Sequence, residues 1–182
     1  DYPGKRHPML FLSDILSSRG RIRIGSDSPG SPGFQGYEGP TIDELLPEYE
    51  LVLLPKVIME LRKIKTPFEI SMIKESAKWG NLAMTLLQRY TRPGLRELDV
   101  VNRACQEATE AMLATLGQDY IPGGVFWVGA HGNFRGQIGV DSSLPHSLIK
   151  NKVFKKGDTL GASGTTYPIL GYISEMERTL FL

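Results

Sequence analysis

Two long helical patterns in the middle of the chain most restrict its possible folds. The first begins at Thr66-Pro67-Phe68-Glu69, where an N-cap threonine, a proline at the first helical position and a glutamate at the third form a capping box. Arg92-Pro93-Gly94 ends this pattern, and a second one over residues 95–116 closes at Gly117. Mostly strand-like segments follow, so we predict an α+β fold of two long helices and then a mostly antiparallel sheet. The apolar positions repeat at close to 3.6 residues and predict these buried faces: Ile70, Ile73, Ala77, Met84 and Leu87 in the first helix, and Leu98, Val101, Cys105, Ala108, Met112 and Leu116 in the second.

The residues before these helices form a different pattern. Residues 5–19 predict a helix, 21–25 alternate strictly as a strand does, and 26–40 are a loop rich in Gly, Ser and Pro. A short capped helix over 41–46 and an apolar strand over 50–54 complete the series. We interpret residues 1–55 as the C-terminal part of a small α/β N-terminal domain, and residues 56–182 as the first part of a second domain, which opens with a connecting helix over 56–64.

The last stretch of the chain predicts a pair of strands. After a Gly157-Asp158 turn, residues 159–162 are β-prone, and Gly161, Gly164 and Pro168 are expected to bend and break that strand. A second strand is predicted over 171–182. In a strand, Glu175 and Glu177 point to one face and Arg178 to the other, because side chains alternate. Upstream, residues 124–129 also predict a strand, and residues 133–140 predict a less regular one.

Composition restricts the classes of partner and the compartment. The formal net charge of +1 gives no electrostatic attraction to nucleic acid or to membranes. No apolar run reaches membrane-spanning length. Cys105 is the only cysteine, so no intrachain disulfide can form, and a reducing, cytoplasmic location is expected. Because Cys105 falls within a helical pattern, a packed core thiol is the favoured interpretation.

Three side chains are candidates for chemistry. His146 follows Pro145 on a predicted loop, where an imidazole can act as a base or carry a proton at physiological pH. Glu175 and Glu177, on one strand face, can hold a cation, orient a guanidinium or share a proton. A surface histidine and a solvated hairpin face are the plainer alternatives.

Three motifs, in a fixed order, make a resemblance specific. They are E-x-x-K-x-K-T-x-x-E-I over 60–70, S-x-P-H over 143–146, and G-D…G-Y-x-S-E-x-E-R-T over 157–179. In these motifs the chain resembles the superfamily of Xaa-Pro aminopeptidases, prolidase and creatinase, and residues 1–55 resemble the end of its N-terminal domain. The resemblance implies that residues 56–182 are the first half of a pita-bread fold. It also implies a homodimer.

The peptidase branch implies a hydrolase, in fact a metalloprotease, that cleaves the bond between an N-terminal residue and proline in a short peptide. Glu175 matches the second metal-binding aspartate, so a divalent metal (Mn, Co or Zn) is implied there. The first aspartate should fall near Ser163 or Gly164, and neither carries a carboxylate. His146 matches the loop histidine that contacts the reacting carbonyl. Further ligands, a His and two Glu, are implied on strands after Leu182, so an incomplete chain is expected.

The creatinase branch implies a different reaction. The segment 171–181 resembles creatinase, which uses no metal to hydrolyse a C–N bond of a small guanidino substrate. There His146 would act as acid and base, and Glu177 would hold the guanidinium. Creatinase has no carboxylate where Glu175 stands. A third interpretation, a non-catalytic binding module on the same fold, is suggested by the absence of the first aspartate.

Overall fold

The structure, a computed structural model, describes residues 8–18, 20, 23–30, 40–124 and 128–182. It divides into two compact units, residues 1–64 and residues 65–182. Helix α3 (Val57–Lys63) belongs to the first unit. The domain boundary predicted between residues 55 and 56 stays a prediction from sequence.

The first unit contains a short parallel strand pair. Its elements are α1 (Pro8–Ser18), β1 (Arg23–Ser26), α2 (Ile42–Leu45), β2 (Glu50–Leu53) and α3. Strands β1 and β2 are parallel, with Arg23 opposite Glu50 and an ion pair of 2.9 Å between their side chains. A helix between two parallel strands is the pattern of an α/β domain, as predicted. Residues 21–22 of the predicted strand and 31–39 of the predicted loop lie outside the described residues.

The second unit has two long helices followed by an antiparallel sheet. Helices α4 (Pro67–Tyr90) and α5 (Glu97–Leu116) precede β3 (Ala130–Asn133), β4 (Thr159–Ile169) and β5 (Tyr172–Phe181), which pair antiparallel in the order β3-β4-β5. The capping box forms as predicted: Glu69 N–H donates to Thr66 Oγ1 at 3.3 Å, and Thr66 N–H donates to Glu69 Oε2 at 2.7 Å. The α+β prediction is confirmed.

Helices and sheet share one apolar core. Its fully buried side chains include Leu87 of α4, Met112 of α5 and Phe134 just after β3. Of the predicted helix faces, Met84, Leu87, Val101, Ala108 and Met112 are buried, whereas Ile70 (43% exposed) and Leu98 (38% exposed) are not. Helical periodicity identifies the face but not the length of helix that the sheet covers, and in α4 the buried positions begin at Ser76.

Strand β4 is not broken at its glycines, and that prediction was wrong. It runs from Thr159 to Ile169, with an irregularity in register only between Thr166 and Ile169. A Cβ on Gly164 would lie 2.6 Å from the carbonyl oxygen of Gly80 in α4. The glycine therefore permits a helix to pack closely on the strand. Close approach of another backbone is, besides bending, the other common role of glycine within strands.

The strand predicted over residues 124–129 does not appear in its described part. Residues 125–127 lie outside the described residues, and 124, 128 and 129 are not in a strand. The irregular strand predicted over 133–140 was also wrong for most of its length. Strand β3 ends at Asn133, Arg135 and Gly136 turn the chain with positive φ, and residues 139–143 form a 3₁₀ helix.

Candidate functional site

One face of the sheet collects polar side chains from all three strands. Register places Asn133 opposite Ser163, Ser163 opposite Glu177, and Thr165 opposite Glu175. Directly opposed residues share a face, as do residues two apart on a strand, so Glu175 and Glu177 lie together as the alternation predicted. The opposite face carries Gly164, which packs on α4. The polar face is therefore the one that is turned away from α4.

Arg135 lies at the centre of this face, and sequence reasoning missed it. Its guanidinium forms ion pairs with Glu175 and with Glu177, the latter at 2.6 Å between Nη1 and Oε1. Nη2 donates to Ser163 Oγ at 3.2 Å, and Nη1 donates to His146 Nε2 at 2.6 Å. One side chain thus connects all three predicted site residues with Ser163. We call Arg135, His146, Ser163, Glu175 and Glu177 the arginine cluster.

The backbone around Arg135 explains how a residue beyond β3 reaches the cluster. Asn133, the last residue of β3, accepts the N–H of Arg135 on its Oδ1 at 3.0 Å. Arg135 then adopts φ +48° and Gly136 φ +67°, so the chain turns sharply back over the sheet. An arginine between the end of a polar strand and a glycine was the available sequence signal, but nothing in the sequence indicates where its side chain points.

His146 reaches the cluster from the loop that follows the 3₁₀ helix. It also has positive φ, +51°, which is uncommon outside glycine and costs energy. Because Arg135 can only donate, Nε2 of His146 is the acceptor. The imidazole is therefore neutral in this arrangement, with its proton on Nδ1.

A partly buried chain of polar contacts supports the strand that carries Asn133. Asn133 Nδ2 lies 3.0 Å from His131 Nε2, and His131 Nδ1 lies 3.5 Å from Cys105 Sγ on α5. Burial lowers the pKa of His131 and raises the pKa of Cys105. Both shifts favour the neutral forms, and Cys105 packs against the core with its thiol donating to Gly132 O at 3.2 Å. This agrees with the core role expected from sequence.

Glu97 holds the two ends of the segment that carries Arg135 and His146. It lies in the first turn of α5, is 1% exposed, and its carboxyl group faces the backbone N–H groups of Lys152, Asn151 and Gly136. Burial raises the pKa of Glu97 and outweighs those N–H groups, which lower it. Among the described residues, Oε2 has no hydrogen-bond partner.

We expect this carboxyl to make stability depend on pH. A pKa raised in the folded state favours the protonated form, so its contribution is complete below the ordinary value of 4.5 and is lost as pH rises through the folded pKa. The unfolding free energy of the wild type relative to that of Glu97→Gln should therefore fall over that range by up to about 1.4 kcal/mol per pH unit. The titration of His131, whose lowered pKa acts in the opposite direction, is common to both proteins and cancels in this difference. Urea unfolding between pH 4.5 and 8 measures it, with Glu110→Gln, an exposed position on the same helix, as the control. An identical pH profile in Glu97→Gln and wild type would contradict the assignment.

The donor set of the arginine cluster does not fit the metal site that the resemblance implies. The first aspartate is expected near Ser163 or Gly164, neither of which carries a carboxylate, and a guanidinium already bonds both glutamates. A divalent cation about 4 Å from that guanidinium would meet repulsion of order 8 kcal/mol at an effective dielectric constant of about 20. Within the described ranges, no group of three or more His, Cys, Asp or Glu is arranged to hold a metal ion. The role of Glu175 as a metal ligand stays a prediction.

A shallow cleft of about 220 Å³ adjoins the cluster. It is lined by Gln137, Ser163 and Glu177, together with Ser142, Thr159, Gly161, Ala162, Arg178 and Thr179. Side chains on this lining are mainly hydroxyls, an amide and charged groups. The cleft can therefore receive a small polar molecule that contacts Ser163 and Glu177 of the cluster.

Comparison with solved structures identifies the fold. An X-Pro aminopeptidase from Thermotoga maritima MSB8 superposes with a TM-score of 0.67 at 17% identity, over 94% of this chain and 43% of that one. An Xaa-Pro dipeptidase from Bacillus anthracis gives 0.64 at 23% identity, over 96% and 44%. The chain has the fold of the matching part of these two peptidases. The prediction that the chain forms part of a pita-bread fold is confirmed.

Two curated proteins are similar to this chain in sequence. A creatinase from Bacillus sp. (strain B-0618) is 26% identical over 147 residues, which are 78% of this chain and 32% of that protein. The uncharacterized peptidase YqhT of Bacillus subtilis (strain 168) is 26% identical over 168 residues, 92% of this chain and 42% of its own. The chain thus spans less than half of the length of either. No protein-family model matches it.

Proposed function

We propose that the protein is a hydrolase that cleaves the amide C–N bond between an N-terminal residue and proline in a short peptide. The observation that supports this most is the arginine cluster, which lies on the sheet of a fold shared with an X-Pro aminopeptidase and an Xaa-Pro dipeptidase. It combines a neutral imidazole, a guanidinium and two carboxylates within bonding distance. Those groups can move a proton and stabilise an oxyanion.

Each side chain has a defined part in the proposed reaction. His146 Nε2 is the basic nitrogen; it takes a proton from the attacking water and returns it to the proline nitrogen as the C–N bond breaks. The N–H of Arg135 that bonded His146 becomes available to the carbonyl oxygen as negative charge develops there. Glu177 keeps the guanidinium in place, and Glu175 supports it from the same strand.

Hydrolysis of Xaa-Pro dipeptides by the full-length protein tests the proposal. We expect release of proline from Ala-Pro and no release of the second residue from Ala-Ala. The assay is run both with Mn²⁺ and with a chelator, so that a requirement for metal is measured and not assumed. Absence of turnover of every Xaa-Pro dipeptide under both conditions would remove this function.

A second candidate is metal-independent hydrolysis of a guanidino or related C–N bond, as in creatinase. Ser163 in place of a carboxylate and the guanidinium held on Glu177 favour it, because Glu177 already binds in this structure the group that such a substrate carries. The similarity to a creatinase agrees with it. Turnover of creatine that survives chelation and is lost in Glu177→Gln would establish it. If neither substrate class turns over but a peptide binds, a non-catalytic binding module is the remaining function.

We further propose a homodimer in the cytoplasm. The dimer follows from the resemblance to the superfamily, and the compartment follows from the single, half-buried cysteine. No helix within the described residues is long and apolar enough to cross a membrane. Sedimentation of the full-length protein measures the assembly.

A further inference from the structure

The guanidinium of Arg135 lies between the carboxylates of Glu175 and Glu177. It takes the place that a metal cation bound by both carboxylates would need. It bonds Glu175 and Glu177 at once, and its side chain is only 24% exposed, while those of Glu175 and Glu177 are 52% and 62% exposed. The positive group is thus more shielded from water than the carboxylates that it joins. A planar fork that bonds two carboxylates is the geometry in which arginine differs most from lysine.

The position of Arg135 is fixed by its surroundings. Its backbone N–H is bonded to Asn133, Gly136 follows with positive φ, and Nη2 is bonded to Ser163. Ser163 faces Glu177 directly across β4 and β5. An aspartate at position 163 would add a third carboxylate around the same point, whereas the serine hydroxyl only accepts from the guanidinium. The serine at position 163 is therefore compatible with the guanidinium of Arg135 at this point.

We infer that Arg135 is the resident cation of the Glu175–Glu177 pair, and that this pair binds no divalent metal ion while Arg135 is in place. The pair keeps one net negative charge after the guanidinium is counted, which is too little for a hard dication that usually gathers several anionic oxygen ligands. This inference is independent of which reaction the site catalyses. It does not rest on the proposed hydrolysis of Xaa-Pro bonds.

Titration of Mn²⁺ into the full-length protein, followed by calorimetry, tests the inference without any substrate. In the wild type we expect no Mn²⁺ binding that depends on Glu175 up to about 1 mM, so Glu175→Gln should leave the titration unchanged. In Arg135→Met/Ser163→Asp, which removes the guanidinium and supplies a third carboxylate, we expect Mn²⁺ affinity to rise by about 100-fold. Adding Glu175→Gln to that double variant should abolish the gain.

A wild-type affinity for Mn²⁺ that falls about tenfold or more in Glu175→Gln would overturn the inference. Binding that Glu175→Gln does not affect comes from elsewhere in the protein and leaves the inference standing. If the double variant does not fold, nuclear magnetic resonance of the wild type decides. Paramagnetic broadening of the His146 ring by Mn²⁺ that is seen in the wild type and lost in Glu175→Gln would contradict the inference, and broadening that is absent or the same in both supports it. Failure of the dipeptide assay is a separate result, because none of these measurements uses turnover.

Discussion

Replacement of His146 by alanine is expected to lower kcat/KM for Ala-Pro hydrolysis by a factor of about 10²–10⁴, the usual range for a positioned acid–base group. An imidazole is the side chain that most often takes and returns a proton in acid–base catalysis. The loss should fall on kcat, with KM little changed, because the histidine contributes to proton transfer and not to binding of the peptide. Steady-state kinetics of the full-length variant measures both constants.

A neighbouring position on the same loop supplies the control. Leu148 is 78% exposed, and its side chain has no part in the cluster, so Leu148→Ala should keep the wild-type kcat. His146→Gln separates polarity from proton transfer, because an amide can accept from Arg135 but cannot carry a proton at this pH. Equal activity in His146→Gln and wild type would assign His146 to positioning only, and equal activity in His146→Ala would remove it from the mechanism.

Local sequence rules predicted well those features that depend on neighbours in the chain. The capping box at Thr66 fixed the start of α4, and the two-residue period placed Glu175 and Glu177 on one face of β5. Ile70 shows the limit of such rules: its helical position was right, but the sheet does not extend to it. Gly164 shows another limit, because close approach of α4 gives a strand glycine a role that the sequence alone does not reveal.

The centre of the candidate site could not be predicted in the same way. Arg135 is separated along the chain from the glutamates that it bonds, and its direction depends on two consecutive residues with positive φ and on the amide of Asn133. The motif at 143–146 identified His146, but not that its partner is an arginine. The resemblance to a known family identified Glu175 as a candidate site residue. Only the structure shows that Glu175 already forms an ion pair with the guanidinium of Arg135.

Gly136→Ala is expected to cost about 3–4 kcal/mol of unfolding free energy, the largest loss of stability that we predict for a single methyl group. Two costs combine. At φ +67° an L-residue pays about 1–2 kcal/mol, and the new Cβ would lie 2.3 Å from the carbonyl oxygen of Leu148. That oxygen belongs to the backbone, so the contact can be relieved only by moving residues 147–148 away from the turn. Urea unfolding, followed by far-UV circular dichroism, measures the loss.

Gly157→Ala isolates the first of these costs, because Gly157 also has positive φ (+90°) but no atom lies within 4 Å of its ideal Cβ. We expect a loss of about 1–2 kcal/mol there, with the arginine cluster intact. In Gly136→Ala, by contrast, the turn that presents Arg135 and the loop that presents His146 are forced apart, so hydrolysis should fall even at temperatures where the variant is folded. Equal destabilisation by the two variants would mean that residues 147–148 move away from the new Cβ without a cost in free energy. The bond between Arg135 and His146 would then not depend on the packing of Gly136 against Leu148.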